Sequence, residues 1–416
     1  MPGAQGSTGV GSNPGGDRVV LGLSGTVDYV LDWDSAVVEQ LVREHGITAA
    51  DLSTTVAVDS ERNLLRCLLA FVRDGNGGER FVVSNQIVEA FARRFDKTVA
   101  LGGTCTRAAM AMDKLGVKST LHLVSIDDHV RRLLPASTEY LCSATEDSTD
   151  PHLIIQFGAG TRVRAGDLDL RAPHPNRVIF ANDPPHEELR ISEDLGDVLA
   201  EARVLLISGF NVMRDPELLD RRIDTLLRHL ARLAPGCLVH FEDAGYHVPA
   251  LSHQVNRRLA DVVSVHSMNE DELQVYLERT LDLLDVEEMA QALVEAHALI
   301  HAPTVVVHTR YWSLALGRDR AALGEALRGG ITMASTRYLC GDDFTEADYR
   351  AVARRPDQPP GAEFAREIEA RLPGLVRCQP AKLLESTHPT TVGLGDTFVG
   401  GFLAAWVGAG PAEGVA

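Results

Sequence analysis

The sequence predicts an α/β fold, with a central, mostly parallel sheet covered by helices on both faces and a smaller β-rich unit attached to it. Three observations carry this. Apolar, β-branched runs such as Val204-Leu205-Leu206-Ile207 and Thr304-Val305-Val306-Val307-His308 recur between helical stretches, the pattern of strands buried on both faces. Between about 151 and 182 short strand-like runs follow one another with no long helix, which marks a separate sheet. Finally, 416 residues exceed what one ordinary core covers.

A Gly/Ser/Pro-rich leader over residues 1–17 is predicted to be disordered, because it has few apolar groups to offset the entropy of ordering it. Arg18-Val19-Val20-Leu21-Gly22-Leu23 reads as a buried strand. It runs into Ser24-Gly25-Thr26-Val27-Asp28-Tyr29-Val30, where one acid stands in an apolar, small-residue stretch. Amphipathic periodicity predicts helices over 35–45 and 60–73, followed by the turn-rich Asp74-Gly75-Asn76-Gly77-Gly78-Glu79-Arg80-Phe81. In Leu101-Gly102-Gly103-Thr104-Cys105-Thr106-Arg107 a glycine pair opens an alanine-rich helix, and 119–124 reads as a strand. The insertion contributes strands at 153–157, 161–164 and 177–180. Beyond 200 the alternation is regular: a strand at 204–207, a helix to about 233, a strand at 237–242, a helical stretch, a strand at 262–265, a long helix from about 270 to 300, and a strand at 304–308. Last comes Thr391-Val392-Gly393-Leu394-Gly395-Asp396-Thr397-Phe398, a turn that opens an apolar-faced helix. The large unit is assigned to about 85–150 and 200–410, and the small one to segments within about 24–80 and 151–199.

A formal net charge of −18 and a pI near 5.3 argue against nucleic acid or an anionic membrane as the main partner, since either demands a basic face. The six scattered cysteines include no C-x-x-C pair, so neither a zinc site nor a disulfide framework is indicated. No apolar run approaches the length of a membrane span, and the first residues lack an apolar signal core. A cytoplasmic protein is expected.

The chemistry concentrates in two places. Helix N-termini present unpaired N–H groups and the positive end of the macrodipole, and Gly393 and Gly395 remove the side chains that would keep an anion away. An acid there has two open roles. Asp396 either caps the helix or takes a proton from a hydroxyl attacking a phosphate held by the turn. The second place is a set of strand-end oxygens: Glu242 closes one strand, while Asn269 and Glu272 follow the next at an i, i+3 spacing that puts both on one helix face. Singly, such acids usually cap or pair. Together they suit magnesium, which keeps most of its waters and needs only one or two carboxylates plus substrate phosphates. Gly22 and Gly25 do not give the spacing of a dinucleotide-binding turn.

The run Pro389-Thr390-Thr391-Val392-Gly393-Leu394-Gly395-Asp396-Thr397 resembles the catalytic signature of the ADP-dependent glucokinase and phosphofructokinase family, a branch of the ribokinase-like superfamily. His240-Phe241-Glu242 resembles that family's His-x-Glu motif, Asn269-Glu270-Asp271-Glu272 its Asn-x-x-Glu motif, and His308-Thr309-Arg310-Tyr311 a segment on its nucleotide side. Gly22 to Asp28 resembles the N-terminal sugar-binding strand and Gly102-Gly103 the start of the second sugar-binding segment, all in family order from about residue 20 to 405.

The resemblance implies a ribokinase-like fold whose smaller domain is a lid, and magnesium-dependent phosphoryl transfer from ADP to a hydroxyl of a sugar or sugar-like acceptor. It makes Asp396 the base, with the amides around Gly393, Leu394 and Gly395 stabilising the moving phosphoryl group. Asp28, Ser24, Gly102, Gly103 and Thr104 would hold the acceptor, His308, Thr309, Arg310 and Val392 the nucleotide, and Glu242, Glu272 and Asn269 the metal. Arg177 is a further candidate for reaching a phosphate from the lid.

Two departures bear on the acceptor. Ser24 and Thr104 stand where the family usually has asparagine, which removes two amides. Glu79 looks like the glutamate that glucokinase-type members use on an unphosphorylated sugar, and a carboxylate there repels a sugar phosphate. The expected acceptor is therefore an unphosphorylated glucose-type sugar, acting with an adenine nucleotide on a monomer or homodimer. A modified sugar, cyclitol or nucleoside is an alternative acceptor. An ATP-dependent ribokinase-like carbohydrate or nucleoside kinase is an alternative enzyme, and a non-catalytic sugar-binding protein a third reading.

Overall fold

The computed structural model describes residues 17–386 and 390–408. All but the last residue of the expected disordered leader, and Pro389 of the catalytic run, lie outside the described residues. The strands in chain order are β1 (Arg18–Leu21), β2 (Thr26–Leu31), β3 (Gly78–Phe81), β4 (Lys97–Gly102), β5 (Thr120–Leu123), β6 (Glu139–Cys142), β7 (His152–Phe157) and β8 (Arg162–Ala165). They continue with β9 (Leu168–Arg171), β10 (Asn176–Ala181), β11 (Ala202–Ile207), β12 (Leu238–Glu242), β13 (Val265–Asn269), β14 (Thr304–His308), β15 (Trp312–Gly317) and β16 (Val376–Pro380).

Nine of them form one sheet in the order β16-β15-β14-β13-β12-β11-β1-β5-β6. It is parallel from β14 to β6, and β15 and β16 add antiparallel at one edge. Alternate residues of β1 enter opposite cores: Val19 and Leu21 pack with Phe398 and Phe402, and Val20 packs with Ile223 and Val255. This is the central α/β sheet that the β-branched runs predict. A second sheet has the order β3-β10-β7-β2-β4, and β8 with β9 form a separate hairpin.

The chain passes between the two sheets four times, at β1 to β2, at β4 to the helix Thr104–Asp113, at β6 to β7, and at β10 to β11. Strand β4, which the sequence reading places in the large unit, pairs antiparallel with β2 in the small sheet. The return therefore falls at Gly102-Gly103 and not near residue 85. The first two crossings meet: a Cβ on Gly103 (φ 81°) would lie 3.0 Å from Cα and N of Gly25, so only glycine lets these backbones touch.

The helices Ser35–His45 and Glu61–Asp74 match their periodicity. Several elements differ from expectation: Gly78–Phe81, read as part of a turn, is β3, and β6, β9, β15 and β16 have no counterpart in the sequence reading. The strand read at 262–265 starts at Val265 and continues through the buried polar His266 and Ser267, which hydropathy alone passes over. The long helix is two, Glu270–Tyr276 and Val286–Ile300, and Asp285 caps the second by accepting from the Glu288 amide. All six cysteines are free, and no helix among the described residues is long and apolar enough to cross a membrane.

Candidate active site

The site lies beyond the carboxyl ends of the parallel strands, where the helix Leu394–Gly408 begins. Gly393, at φ 69°, turns the chain into that helix. A Cβ there would sit 2.8 Å from Cδ of Arg107, so the position must be bare for the guanidinium to pass beneath it. Asp396 is in the first helical turn. Its Oδ1 accepts from Oγ1 of Thr104 at 2.9 Å, and its Oδ2 lies 3.7 Å from Nε of Arg107. Burial pushes its carboxyl above the ordinary range. Arg107 and the Thr104 hydroxyl oppose that rise, Glu242 adds to it, and Arg337 opposes it.

On the small-sheet side, the buried Asp28 of β2 accepts from Nη2 of Arg107 at 2.9 Å and from Oγ1 of Thr26 at 2.9 Å. Gly102 faces it so closely that a Cβ would stand 2.3 Å from its Oδ2. Ser24 shares a 3.2 Å hydrogen bond with Ser208, and so spends its hydroxyl on β1's neighbour. Thr104 spends its own on Asp396. Nearby, Asp183 lies 3.0 Å from Nε2 of His152 and 2.8 Å from Nδ1 of His186, whose Nε2 accepts from the Gly25 amide. Burial works against charge on His152, but Asp183, Asp28 and Glu79 outweigh it and push its pKa up to about 9. Glu79 of β3 reaches across to the loop after β12, where Nε2 of His247 lies 3.3 Å from its Oε1.

On the opposite side, the buried Glu242 faces Nε2 of His308 at 2.9 Å and Nε2 of His240 at 3.4 Å. Burial pushes its carboxyl up, yet these two imidazoles outweigh burial and hold it at about 2. His308 stacks on Phe398, 4.5 Å between ring centroids, which holds the strand end against the helix Leu394–Gly408. Asn269 and Glu272 form a capping box: the Asn269 side chain accepts from the amides of Asp271 and Glu272, and Glu272 accepts from the Asn269 amide at 2.6 Å. Burial pushes Glu272 up to about 8, and Asp243 and Glu242 add to the rise. Thr309 holds the turn between β14 and β15, donating to the Trp312 carbonyl. Arg310 lies over the Tyr311 ring, and the Val392 carbonyl accepts from Nε of Arg337 at 3.0 Å.

A cavity of about 490 Å³ lies here, lined by Asn269, His308, Arg310, Leu394, Gly395 and Phe398 among others. The structure thus brings Asp396, Thr104, Gly393, Asp28 and Gly102 into one cluster, and Asn269, His308, Thr309 and Arg310 around the adjoining cavity. Among the described residues no group of three or more His, Cys, Asp or Glu side chains is arranged to ligate a metal directly. The sequence reading passed over Arg107, Arg337, His152, Asp183 and His247. Arg107 alone left a signal, a charge in an alanine-rich helix three residues past Thr104.

Residues 17–404 match the ADP-specific phosphofructokinase/glucokinase conserved region. Among solved structures, the chain is similar to a phosphofructokinase from Pyrococcus horikoshii OT3 with AMP, with a TM-score of 0.77 and 16% identity over 95% of this chain and 99% of that one. It is also similar to the last common ancestor of ADP-dependent phosphofructokinases from Methanosarcinales, with a TM-score of 0.74 and 16% identity over 94% of each chain. A third is an ADP-dependent kinase in complex with fructose-6-phosphate and ADPβS, with a TM-score of 0.71 and 15% identity over 94% of each chain. No curated protein sequence matches.

Proposed function

Because this chain belongs to the ADP-specific phosphofructokinase and glucokinase family, a group of sugar phosphotransferases, we propose that it transfers a phosphoryl group from ADP to a hydroxyl of an unphosphorylated, glucose-type sugar, with Asp396 as the base. The observation that carries the reading is the seat of Asp396. It occupies the first turn of a fifteen-residue helix, behind a glycine turn, with Thr104 and Arg107 fixing its oxygens.

Such a reaction asks the protein mainly for positioning and charge. The turn amides around Gly393, Leu394 and Gly395 face a migrating phosphoryl with partial positive charge. Asp396 receives the hydroxyl proton. Its elevated pKa brings its basicity closer to neutral pH, which favours that transfer. Asp28 and Glu79 supply acceptors for sugar hydroxyls. Glu79 is also the support for an unphosphorylated sugar, since a second phosphate would approach a carboxylate.

Magnesium fits through its own waters. Glu242 and Glu272 already accept protein hydrogen bonds on both oxygens, which leaves them suited to hold a hydrated ion. Burial, with Asp243 and Glu242 adding to it, disfavours charge on Glu272, and a cation would offset that cost. Bound there, the ion would neutralise the donor phosphates. The small sheet serves as a lid that excludes water and so suppresses hydrolysis of the donor.

The test is an acceptor screen with magnesium and either ADP or ATP, run on wild type and Asp396→Asn. Turnover of a hexose with ADP, and a loss of at least ~10²-fold in the variant, is the expected result. Preference for ATP overturns the donor assignment, and near-normal turnover by the variant removes Asp396 from the mechanism.

A further inference from the structure

Among the described residues, the buried Arg107 is the one cation that touches both carboxylates of the cluster. Its Nη2 donates to Asp28 at 2.9 Å and its Nε lies 3.7 Å from Asp396, while its side chain is only 4% exposed. Asp28 belongs to the small sheet and Asp396 to a helix packed on the large one, so the guanidinium ties the acceptor side to the base. Two bare positions accommodate this bridge: a Cβ on Gly393 would meet the Arg107 side chain at 2.8 Å, and one on Gly102 would meet the Asp28 carboxylate at 2.3 Å. Burying a guanidinium is costly unless it is fully paired, and an apolar side chain would fill the same helix position without that cost. An arginine is needed there only if its charge is used.

We propose that Arg107 is a positioning and specificity residue for phosphoryl transfer, setting the charge and orientation of Asp396 and at the same time aiming Asp28 at the acceptor. This rests on Asp396 acting as the base. The remaining groups around Asp396 do not supply the same charge. Thr104 gives a neutral hydroxyl. Arg337, on the helix Gly324–Cys340, is committed to the Val392 carbonyl and to Asp342. Glu242 on β12 repels the base, and burial pushes the Cys105 thiol up to about 12, so it stays neutral. Without Arg107, Asp396 loses the cation that most opposes its burial and keeps only the weaker pull of Arg337 against Glu242, and Asp28 is buried without its cation.

The experiment is a titration of the Asp396 carboxyl in full-length protein carrying ¹³C-labelled aspartate, with Asp396→Asn locating the resonance. It is performed on wild type, Arg107→Met, Arg107→Gln and Arg107→Lys. The expected result is a midpoint raised by about 1 unit or more in the Met and Gln variants and largely restored by Lys, the size usual for removing a neighbouring cation. Should Arg107→Met fail to fold, Arg107→Gln, which keeps an amide for Asp28, decides. A second arm measures kcat and KM on the hexoses of the acceptor screen, where Arg107→Gln is expected to lose ~10-fold or more in kcat/KM at neutral pH. An unmoved midpoint, with only a lower melting temperature, overturns the proposal and leaves Arg107 a structural ion pair. Failure of the kinase reading shows separately, as normal turnover in Asp396→Asn or as no turnover of any sugar, while the titration still decides on Arg107.

Discussion

Thr104 stands at the first position of its helix and gives its hydroxyl to Asp396 at 2.9 Å, a contact that stabilises the ionised carboxylate. Removing the hydroxyl therefore raises the carboxyl further. In Thr104→Val, the acidic limb of kcat/KM against pH is expected to move upward by about half a unit to one unit, with little change above it, because the base must be ionised to act. An acidic limb that stays in place would show that Thr104 does not tune the base. The same scale shows what a sequence can and cannot disclose. Asp396, Asp28 and Glu242 were legible because Asp396 follows a glycine turn, Glu242 closes an apolar strand and Asp28 is a lone acid in an apolar stretch. Arg107, His152 and His247 were not, since their partners lie 79, 31 and 168 positions away, as the pairs Arg107–Asp28, His152–Asp183 and His247–Glu79 place them. Spacing rules act within a turn or two of chain. A buried charge declares its use only when the fold supplies the opposite one.

At the scale of elements, the helix Leu394–Gly408, which carries Asp396, owes its position to glycine. It crosses the helix Gly324–Cys340 so closely that a Cβ on Gly401 would lie 2.4 Å from Cβ of Met333, and one on Gly329 would lie 2.6 Å from the Gly401 carbonyl. In an exposed helix Gly→Ala gains up to about 1 kcal/mol of propensity. Here overpacking of roughly 1–3 kcal/mol opposes it, and backbone atoms cannot swing aside. Gly401→Ala is thus expected to lower stability by about 1–2 kcal/mol in a denaturant titration, and to reduce kcat by displacing Asp396. A variant as stable as wild type would mean that the helices can part without consequence. Element reading from sequence failed where this kind of context decides. Strand β13 was placed three residues early because His266 and Ser267 look unlike strand interior. His266 is accommodated there because it finds Asp243, Nε2 to Oδ2 at 3.2 Å.

At the scale of the molecule, the two sheets are joined by four crossings, and Glu79 of the small sheet lies against His247 of the large unit. With the small sheet as lid, ligands that fill the space between bring the two bodies together. Small-angle scattering is expected to show a smaller radius of gyration with magnesium, a nonhydrolysable ADP analogue and a hexose than with nucleotide alone. An unchanged profile would argue for a site that does not move. Six strands of the large sheet, β1, β5 and β11 to β14, could be read from sequence by their apolar runs, whereas β6, β15 and β16 were passed over. The return of the chain at Gly102-Gly103 could not be read, because β4 has the same composition in either sheet and only its pairing with β2 assigns it.

The contact of Gly25 with Gly103 makes a fulcrum, since the outgoing and returning backbones meet there with no side chain between them. β2 and β4 spring from that point, whereas β3 lies at the far edge of the small sheet. Any swing displaces the far edge most and the near residues least. With the small sheet as the proposed lid, Asp28 and Gly102 would meet a newly arrived acceptor before the swing begins, and Glu79, at the tip of the lever, only as it ends. Admission and verification would then be separated along one arm, so that a wrong sugar is turned away after it has been caught and before the donor is committed.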